Sequence, residues 1–381
     1  MNPVRSLLLT AVVCVAATPA AAQLVLSAND GKAVLVNGVN TVPQPTPPDT
    51  LTILDSTVIP PRVVAELPVP NSVVGPPGNV AIAPDGSIAL IASAVKVDPA
   101  DPTKTANDDR LTVVSLQGTP RVLATLQAGV GASGVAINPA GTLALVANRI
   151  EGTVSVFSIA GQTVTPLPKV DLGAPASGPS QVVFTPDGRT AFVTRNNDSL
   201  ITELTIAGTT VTNAKRDIAG GFKPYGMEIT PDGSLALVAS IGAGATGGAD
   251  VISVVALKNG PPHTVDQIAV GITPEALSIA PDGRHVAVTV MNGSNQPASS
   301  FYASPNGRLR LFRIEKQTLV PVTESPIGKW CQGVAWTKDS RTLLVQCMSD
   351  KEIVAFRFDG KALAPAGSVK VNGGPAGIRV R

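Results

Sequence analysis

The feature that most constrains this fold is a tight-turn motif that recurs along the chain at intervals of roughly fifty residues. Four copies read Pro-Asp-Gly and one reads Pro-Ala-Gly, and each lies between short runs of Val, Ile, Leu and Thr. A repeat of this length is the size of a four-stranded β-propeller blade. The five copies occupy 84–86, 139–141, 186–188, 231–233 and 281–283, with degenerate copies at Asn29-Asp30-Gly31 and Lys338-Asp339-Ser340. Seven copies therefore predict an all-β fold, a seven-bladed β-propeller with four antiparallel strands per blade.

Each repeat contains four candidate strands, which we name A to D from the central channel to the rim. Around the third motif, residues 182–184 precede the turn and 191–193 follow it, and 200–206 supplies strand C. The motif fits a three-residue hairpin, in which a type I turn is followed by a glycine in the left-handed conformation. Glycine adopts that conformation without strain because it has no Cβ.

Both ends of the chain are expected to meet in one blade. Residues 373–380 read as the start of a further strand A with no turn after it, and residues 24–36 supply strand-forming sequence at the other end. Pairing the two would close the sheet edge that each leaves open. The sequence leaves open whether 24–27 or 377–380 forms the innermost strand.

The first 22 residues are typical of an export signal. Arg5 supplies the positive charge, and 7–17 is apolar but shorter than the roughly 20 residues that span a bilayer. Cys14 lies in this apolar stretch, and Ala20-Ala21-Ala22 fits a cleavage site. We therefore expect a signal peptide over 1–22 and a propeller over 23–381, in the periplasm or outside the cell, with no membrane span.

Composition argues against several classes of function. A net charge of +2, from 29 Lys+Arg and 27 Asp+Glu, lacks the basic excess of nucleic-acid binding. The sequence has two histidines and no haem-attachment, phosphate-loop or nucleophile-elbow motif. We predict no nucleic-acid partner, no metal and no cofactor. Asp98, Asp101, Asp108 and Asp109 lack EF-hand spacing, and we interpret them as a solvated acidic loop.

Two repeats carry a resemblance to a known family. Thr185-Pro-Asp-Gly-Arg-Thr-Ala-Phe-Val-Thr-Arg195 is similar to the signature of YVTN-type β-propellers, and 138–159 is a second good match. The resemblance covers nearly all of the chain after the leader. It implies a seven-bladed propeller, and because that family resembles both surface-layer and lactonase-type propellers, it does not imply one function.

The strand order assigns the loops to two faces. The A–B and C–D connections form one face, which we call the turn face, and the B–C and D–A connections form the other, the loop face. The long B–C loops are predicted at 38–49, 96–109, 241–249 and 291–307. Insertions concentrated on one face of a repeat fold are typical of a binding face, although drift in unconstrained loops would produce the same pattern.

The candidate site is the channel mouth on the loop face, which is expected to be polar. The equivalent position in successive blades carries Gly78, Ser133, Ser180, Tyr225, Glu275, Gln332 and Ala376. Neighbouring candidates for ligand binding are Asn79, Asn148, Arg149, Gln181 and Arg195. Arginine binds carboxylates and phosphates well, so a small anionic molecule is one predicted partner. Glu275 is the only carboxylate of the ring and the only catalytic candidate.

Two functions remain open at this point. The first is a non-catalytic binding or interaction protein of the cell envelope that uses the loop face, with an envelope protein as a further predicted partner. The second is a lactonase-like hydrolase that opens a small lactone at the channel mouth, as the family resemblance implies. Lactone opening would need a base and a cation for the developing oxyanion, for which Glu275 with Arg149 or Arg195 is the nominated set.

Cys331 and Cys347 are predicted to form a disulfide. They are the only cysteines outside the leader, and export would place them in an oxidising compartment. A three-residue hairpin at Lys338-Asp339-Ser340 would place the two cysteines directly opposite on strands A and B of the last blade. Two free buried thiols are the alternative.

Overall fold

The computed structural model describes residues 23–244 and 247–381 and has the predicted all-β architecture. Seven four-stranded antiparallel sheets form the ring, and a small two-stranded hairpin lies outside them. No helix occurs in the described part of the chain. Within the same residues, no helical segment has the length and apolar character needed to cross a membrane. The predicted signal peptide lies outside the described residues.

The blades follow one another around the ring, and the strands of each run in order from channel to rim. Blade 1 consists of β30 (Gly374–Val380), β1 (Leu24–Asp30), β4 (Thr50–Asp55) and β5 (Arg62–Pro68). Blade 2 consists of β6 (Val80–Ile82), β7 (Ile88–Val97), β8 (Thr105–Ser115) and β9 (Arg121–Gln127). Blade 3 consists of β10 (Ala132–Ile137), β11 (Leu143–Asn148), β12 (Thr153–Ala160) and β13 (Thr163–Asp171). Blade 4 consists of β14 (Pro179–Phe184), β15 (Thr190–Arg195), β16 (Leu200–Ala207) and β17 (Thr210–Ala219).

The remaining three blades have the same order of strands. Blade 5 consists of β18 (Pro224–Ile229), β19 (Leu235–Ser240), β20 (Asp250–Ala256) and β21 (His263–Gly271). Blade 6 consists of β22 (Pro274–Ile279), β23 (His285–Val290), β24 (Gly307–Glu315) and β25 (Thr318–Ile327). Blade 7 consists of β26 (Cys331–Trp336), β27 (Thr342–Cys347), β28 (Glu352–Phe358) and β29 (Leu363–Lys370). The outlying hairpin is β2 (Val34–Val36) with β3 (Val39–Thr41).

The two ends of the chain close the ring in blade 1. Strand β30 is innermost and pairs antiparallel with β1, so that Val25 lies opposite Val380 and Asp30 opposite Gly374. The C-terminal segment is therefore the innermost strand, which resolves the alternative that the sequence left open. The pairing supplies the hydrogen bonds that an open edge of β1 would lack.

One predicted turn is wrong. Asn29-Asp30-Gly31 does not join strands A and B, because strand A of blade 1 comes from the other end of the chain. It ends strand B on the loop face, at the position that Asn148 occupies in blade 3. The side chains match as well, since the Asn29 amide donates to Thr50 and Thr52 as the Asn148 amide donates to Thr153 and Ser155.

The other turns have the predicted glycine conformation but a different length. Gly86 and Gly188 have φ of 73° and 68°, in the left-handed region. The predicted three-residue hairpin is wrong, because the amide of Ala83 donates to the carbonyl of Ile88 and leaves four residues between them. The Asp side chain stabilises the extra residue, as where Asp85 Oδ1 accepts the Ser87 amide at 2.9 Å.

The core lies between the blades, because each sheet is covered on both faces. Leu90 and Ile91 are adjacent on β7 and both are fully buried. Leu90 packs towards blade 3 with Phe157, whereas Ile91 packs towards blade 1 with Leu26 and Leu51. Two covered faces explain why the strands read as continuous apolar runs rather than as alternating ones.

Two of the predicted long loops contain regular structure. Strand β7 continues to Val97 and strand β8 begins at Thr105. The loop predicted at 96–109 is therefore confined to 98–104. Most of the predicted loop at 38–49 follows the outlying hairpin, whose strands pair Val34 with Thr41. Of the loop predicted at 241–249, residues 245 and 246 lie outside the described part of the chain.

The disulfide between Cys331 and Cys347 is confirmed. The two residues are direct partners on β26 and β27, and both are fully buried. The bond closes the strand pair of blade 7 at the end that faces the loop face. Its Cα atoms are 3.9 Å apart.

Replacing both cysteines with alanine should lower the free energy of unfolding by about 3 kcal/mol, because the bond removes conformational entropy from the unfolded chain. Denaturant unfolding of the variant and the oxidised protein, both lacking residues 1–22, measures this difference. Thiol titration of the denatured, unreduced protein provides the control. Two free thiols per chain would contradict the disulfide.

Candidate functional site

The ring of residues predicted at the loop-face mouth is buried. Tyr225 is 7% exposed, Glu275 6% and Gln332 4%, and the serines at positions 133 and 180 are buried as well. Their strands do bring them to one end of the channel, as the equivalent positions predicted. Another segment of the chain therefore covers this end of the channel.

The cover is the D–A connection between blades 1 and 2, residues 70–78, which we call the strap. Gly75 of the strap has φ of +113°, and a Cβ there would lie 2.0 Å from Oγ of Ser133 in blade 3. At the end of the strap, a Cβ on Gly78 would lie 2.1 Å from Oε1 of Gln181 in blade 4. Glycine at these two positions lets the strap cross the mouth in direct contact with the inner strands.

Buried charges hold the strap to blade 1. Asp30 Oδ2 accepts the amide of Val73 at 2.8 Å, and its other oxygen accepts the ammonium of Lys32 at 3.2 Å. Lys32 also donates to Asp49 at 2.8 Å and to the carbonyl of Asn71. Burial raises the pKa of Asp30, whereas Lys32 opposes that shift. A lysine between two carboxylates at the root of the strap fixes where the strap leaves blade 1.

An apolar cluster covers the rest of the mouth. Val73 of the strap packs with Met291, Trp330, Met348 and Ala376, which come from blades 6, 7 and 1. All five side chains are buried. The loop-face mouth is thus sealed by apolar packing on one side and by the strap backbone on the other.

Glu275, Arg149 and Tyr225 form the ionisable group beneath this cover. The Arg149 guanidinium lies 5.4 Å from the centre of the Tyr225 ring and donates to Asn196 at 3.0 Å and to Ser180. Burial raises the pKa of Glu275 to about 8, and Arg149 opposes the shift. Burial raises the pKa of Tyr225, and the negative charge of Glu275 raises it further. A carboxyl with this pKa exchanges protons near neutral pH.

Three candidates carry buried oxygens that lack a hydrogen-bond partner among the described residues: Oδ1 of Asn79, Oε1 of Gln181 and Oε1 of Gln332. Glu275 Oε2 is in the same state. Buried polar atoms in native proteins are normally paired with protein or with ordered water. Among the described residues, these four oxygens are exceptions to that rule.

The other two candidates are not at the mouth. Arg195 points towards the rim, where it binds Thr202 at 3.1 Å, Asp217 at 3.1 Å, and Asp198. Asn148 is fully buried, and its Oδ1 accepts the amide of Gly129 at 3.0 Å. Both side chains hold blade structure together, so the structure does not bring them together with Glu275.

The acidic stretch of blade 2 is divided between strand and loop. Asp98 and Asp101 lie in the 98–104 loop, and Asp101 pairs with Lys104 at 2.8 Å. Asp108 is instead buried on β8, where Arg110 Nε donates to it at 2.7 Å. No group of three or more His, Cys, Asp or Glu residues suited to a metal ion occurs among the described residues.

The open cavity of the channel lies on the turn face, where the sequence indicated no site. It has a volume of about 380 Å³ and extends from Pro186 and Pro281 of the turns to Pro76 and Pro77 of the strap. The channel is therefore open on the turn face and closed by the strap on the loop face.

An ion pair spans this cavity. Arg379 of β30 lies 3.5 Å from Glu228 of β18, whose other oxygen accepts the amide of Ile279 at 2.7 Å. The sequence repeats contain a pattern that could have indicated this ion pair. It lies three positions after the residues that form the ring at the loop-face mouth. That position carries Ala81, Ala136, Val183, Glu228, Ser278, Ala335 and Arg379. Two opposite charges among small residues distinguish it from the rest of the inner strands.

Comparisons with known proteins show the fold alone. No protein-family model and no curated protein matches the chain. A candidate 6-phosphogluconolactonase from Bacteroides fragilis aligns with a TM-score of 0.69 at 16% identity, over 96% of this chain and 100% of that one. The periplasmic gluconolactonase of Pseudomonas aeruginosa aligns with a TM-score of 0.64 at 16% identity, over 94% of this chain and 98% of that one. A protein of unknown function from Desulfotomaculum acetoxidans aligns with a TM-score of 0.68 at 14% identity, over 94% of this chain and 98% of that one. The chain is thus a seven-bladed β-propeller.

The buried Glu275 should make stability depend on pH. Its pKa is higher in the folded protein than its ordinary value of 4.5, so the folded state binds more protons between pH 4.5 and about 8, and stability falls as pH rises through this window. Glu275→Gln should remove this loss, an effect of about a few kcal/mol at pH 8. Urea unfolding at several pH values measures it. Glu315→Gln, at a side chain that is 43% exposed, should leave the pH dependence unchanged, and an equal slope in all three proteins would contradict the effect.

Proposed function

We propose that this chain is an exported, non-catalytic binding protein of the cell envelope, a YVTN-type propeller that docks a partner protein on its loop face. The observation that carries the proposal is a set of uncharged loops on that face, segments 33–48, 241–249 and 291–307, which we call the arc. Exposed apolar side chains lie on these loops. A partner that covered this arc would remove apolar surface from water without having to desolvate charged side chains.

The loops of the arc contain no charged residue. Segments 33–48, 241–249 and 291–307 together lack Asp, Glu, Lys and Arg, although charged residues make up 15% of the chain. Protein interfaces are depleted of charge at their centres and enriched in aromatic residues. Within the described residues, large apolar side chains exposed on the loop face are Val36, Val39, Val130, Ile150, Phe222 and Phe301.

The loops of the arc touch one another, so Val36, Val39 and Phe301 belong to one surface. Gly38 at the tip of the β2–β3 hairpin packs against Pro297 of the blade 6 loop. Phe301 of that loop packs against Gly247 of the blade 5 loop. Phe301 is 84% exposed despite these contacts. Contiguous exposed apolar surface of this kind is typical of protein interaction sites.

Export is supported by the leader sequence and by the disulfide. A disulfide persists in oxidising compartments such as the periplasm and is rare in the cytosol. The leader has the charge, the apolar stretch and the cleavage residues of a signal peptide. Both features fit a protein that meets its partner in the envelope.

A photo-crosslinking amino acid at position 301 or 39 should capture one defined protein in the cells that make this chain. The same probe at Val122, an exposed residue of rim strand β9, provides the matched control. Phe301→Ser should reduce capture from position 39 roughly tenfold, because central aromatic residues dominate interface energies. Equal adducts from position 122, or none from 301 and 39, would contradict the proposal.

A lactonase-like hydrolase is the second candidate, favoured by Glu275 beside Arg149 and by the names of two of the structural neighbours. The raised pKa of Glu275 suits a proton-transferring group, and Arg149 could stabilise an oxyanion. The strap and the apolar cluster stand between Glu275 and solvent, so hydrolysis would require the strap to move.

The two candidates predict different results with lactones. We expect no hydrolysis of glucono-1,5-lactone or 6-phosphogluconolactone above the buffer rate, with or without Ca²⁺, since Glu275 is buried. A pH-stat assay of the purified protein measures this. Turnover that is lost in Glu275→Gln and retained in the Glu315→Gln control would favour the hydrolase and overturn the non-catalytic assignment.

A further inference from the structure

The turn-face cavity has the features of a small-molecule site that is separate from the loop face. Its volume of about 380 Å³ lies within the range of ligand pockets, roughly 300–1,000 Å³. Most of the residues that line it are apolar, among them Phe184, Ile229, Ile279 and Trp336, while polar atoms provide the larger part of the exposed lining. The polar side chains that line it are few, as is typical of sites that orient a ligand.

The Glu228–Arg379 pair is accessible to a ligand. The two side chains are 26% and 34% exposed, and the distance of 3.5 Å between them is longer than the roughly 2.7–2.9 Å of a strong charge-assisted hydrogen bond. The pair therefore has donor and acceptor capacity left over. Arg379 Nε reaches only the Val80 carbonyl, at 3.4 Å, among the described residues.

A second, independent feature points into the same cavity. Gln181 lines it from blade 4, is only 3% exposed and has an Oε1 without a partner in the described part of the chain. An unpaired buried acceptor costs free energy that a ligand donor would recover. Gln181 lies two strand positions further from the turn face than Glu228, so the polar groups are spread along the depth of the cavity.

We propose that this cavity binds a small zwitterion, an α-amino acid, with its carboxylate on Arg379 and its ammonium on Glu228. The two charges of an α-amino acid are attached to one carbon atom, which suits protein charges that lie a few ångströms apart. A simple anion would be repelled by Glu228, and a simple cation by Arg379. The zwitterion replaces both partners of the ion pair at once, and its side chain lies along the apolar wall towards Gln181.

The proposal requires that the ligand carry both a positive and a negative charge, and binding measurements can test this requirement. Titration calorimetry of the purified protein with L-leucine and L-glutamine should show binding of at least one of them. The derivatives of that amino acid that lack one charge, the N-acetyl compound and the α-amide, should bind at least tenfold more weakly. Glu228→Gln and Arg379→Gln should each weaken binding of the amino acid at least tenfold.

The variants also exchange specificity in a way that misfolding cannot mimic. Glu228→Gln removes the repulsion of anions, so it should bind the N-acetyl compound better than the native protein does. Arg379→Gln should do the same for the α-amide. Arg121→Gln, at an exposed residue of rim strand β9, removes one positive charge far from the channel; it is the matched control and should bind the amino acid as the native protein does. The site is refuted if neither amino acid binds, or if the charge-altered ligands and variants bind equally well. Because the loop-face crosslinks are measured separately, failure of this test leaves the docking proposal standing.

Discussion

The pairing of β30 with β1 is the interaction on which the other features depend. It converts a row of sheets into a ring, and only a ring has a central channel with a closed wall. It also decides what that channel contains, because β30 brings Arg379 to the inner wall opposite Glu228. Strand β1 in turn carries Asp30, the residue that holds the strap over the other end. One strand pair thus determines both the open and the closed end of the channel.

Much of the fold could be predicted because its information is local and repeated. Turn glycines with φ near 70° and apolar runs on either side specify hairpins without reference to distant residues. The one repeat that failed, Asn29-Asp30-Gly31, failed because blade 1 is assembled from both ends of the chain. Position in the sequence then no longer indicates position in the blade.

The disulfide shows how a correct prediction can rest on an incorrect register. The hairpin of blade 7 has four loop residues, so Thr337 faces Thr342 rather than Arg341, and Val334 faces Val345. That register alone would offset the cysteines by one residue. A bulge between Cys331 and Val334 shifts the inner strand back by one. The bulge recurs at the start of strand A in blades 3 to 7.

The sites were less predictable because they depend on contacts between blades. The equivalent position in each repeat correctly placed Tyr225, Glu275 and Gln332 at one end of the channel, but a repeat pattern cannot show that a connection covers them. The strap reads as an ordinary linker, and its effect comes from two glycines that allow close approach to blades 3 and 4. Glu228 and Arg379 are visible as outliers in the repeats, but they become a pair only when strands from blades 5 and 1 face each other.

Strand β30 also affects how the molecule folds. Val25 and Val380 are about 350 residues apart in sequence, and closing so long a loop costs entropy before any contact compensates for it. Six blades can form from neighbouring hairpins, whereas blade 1 must wait with the inner edge of β1 unpaired. In that interval the β30 of a second molecule offers the same hydrogen bonds. Refolding at high concentration should therefore yield dimers in which two chains exchange their innermost strands.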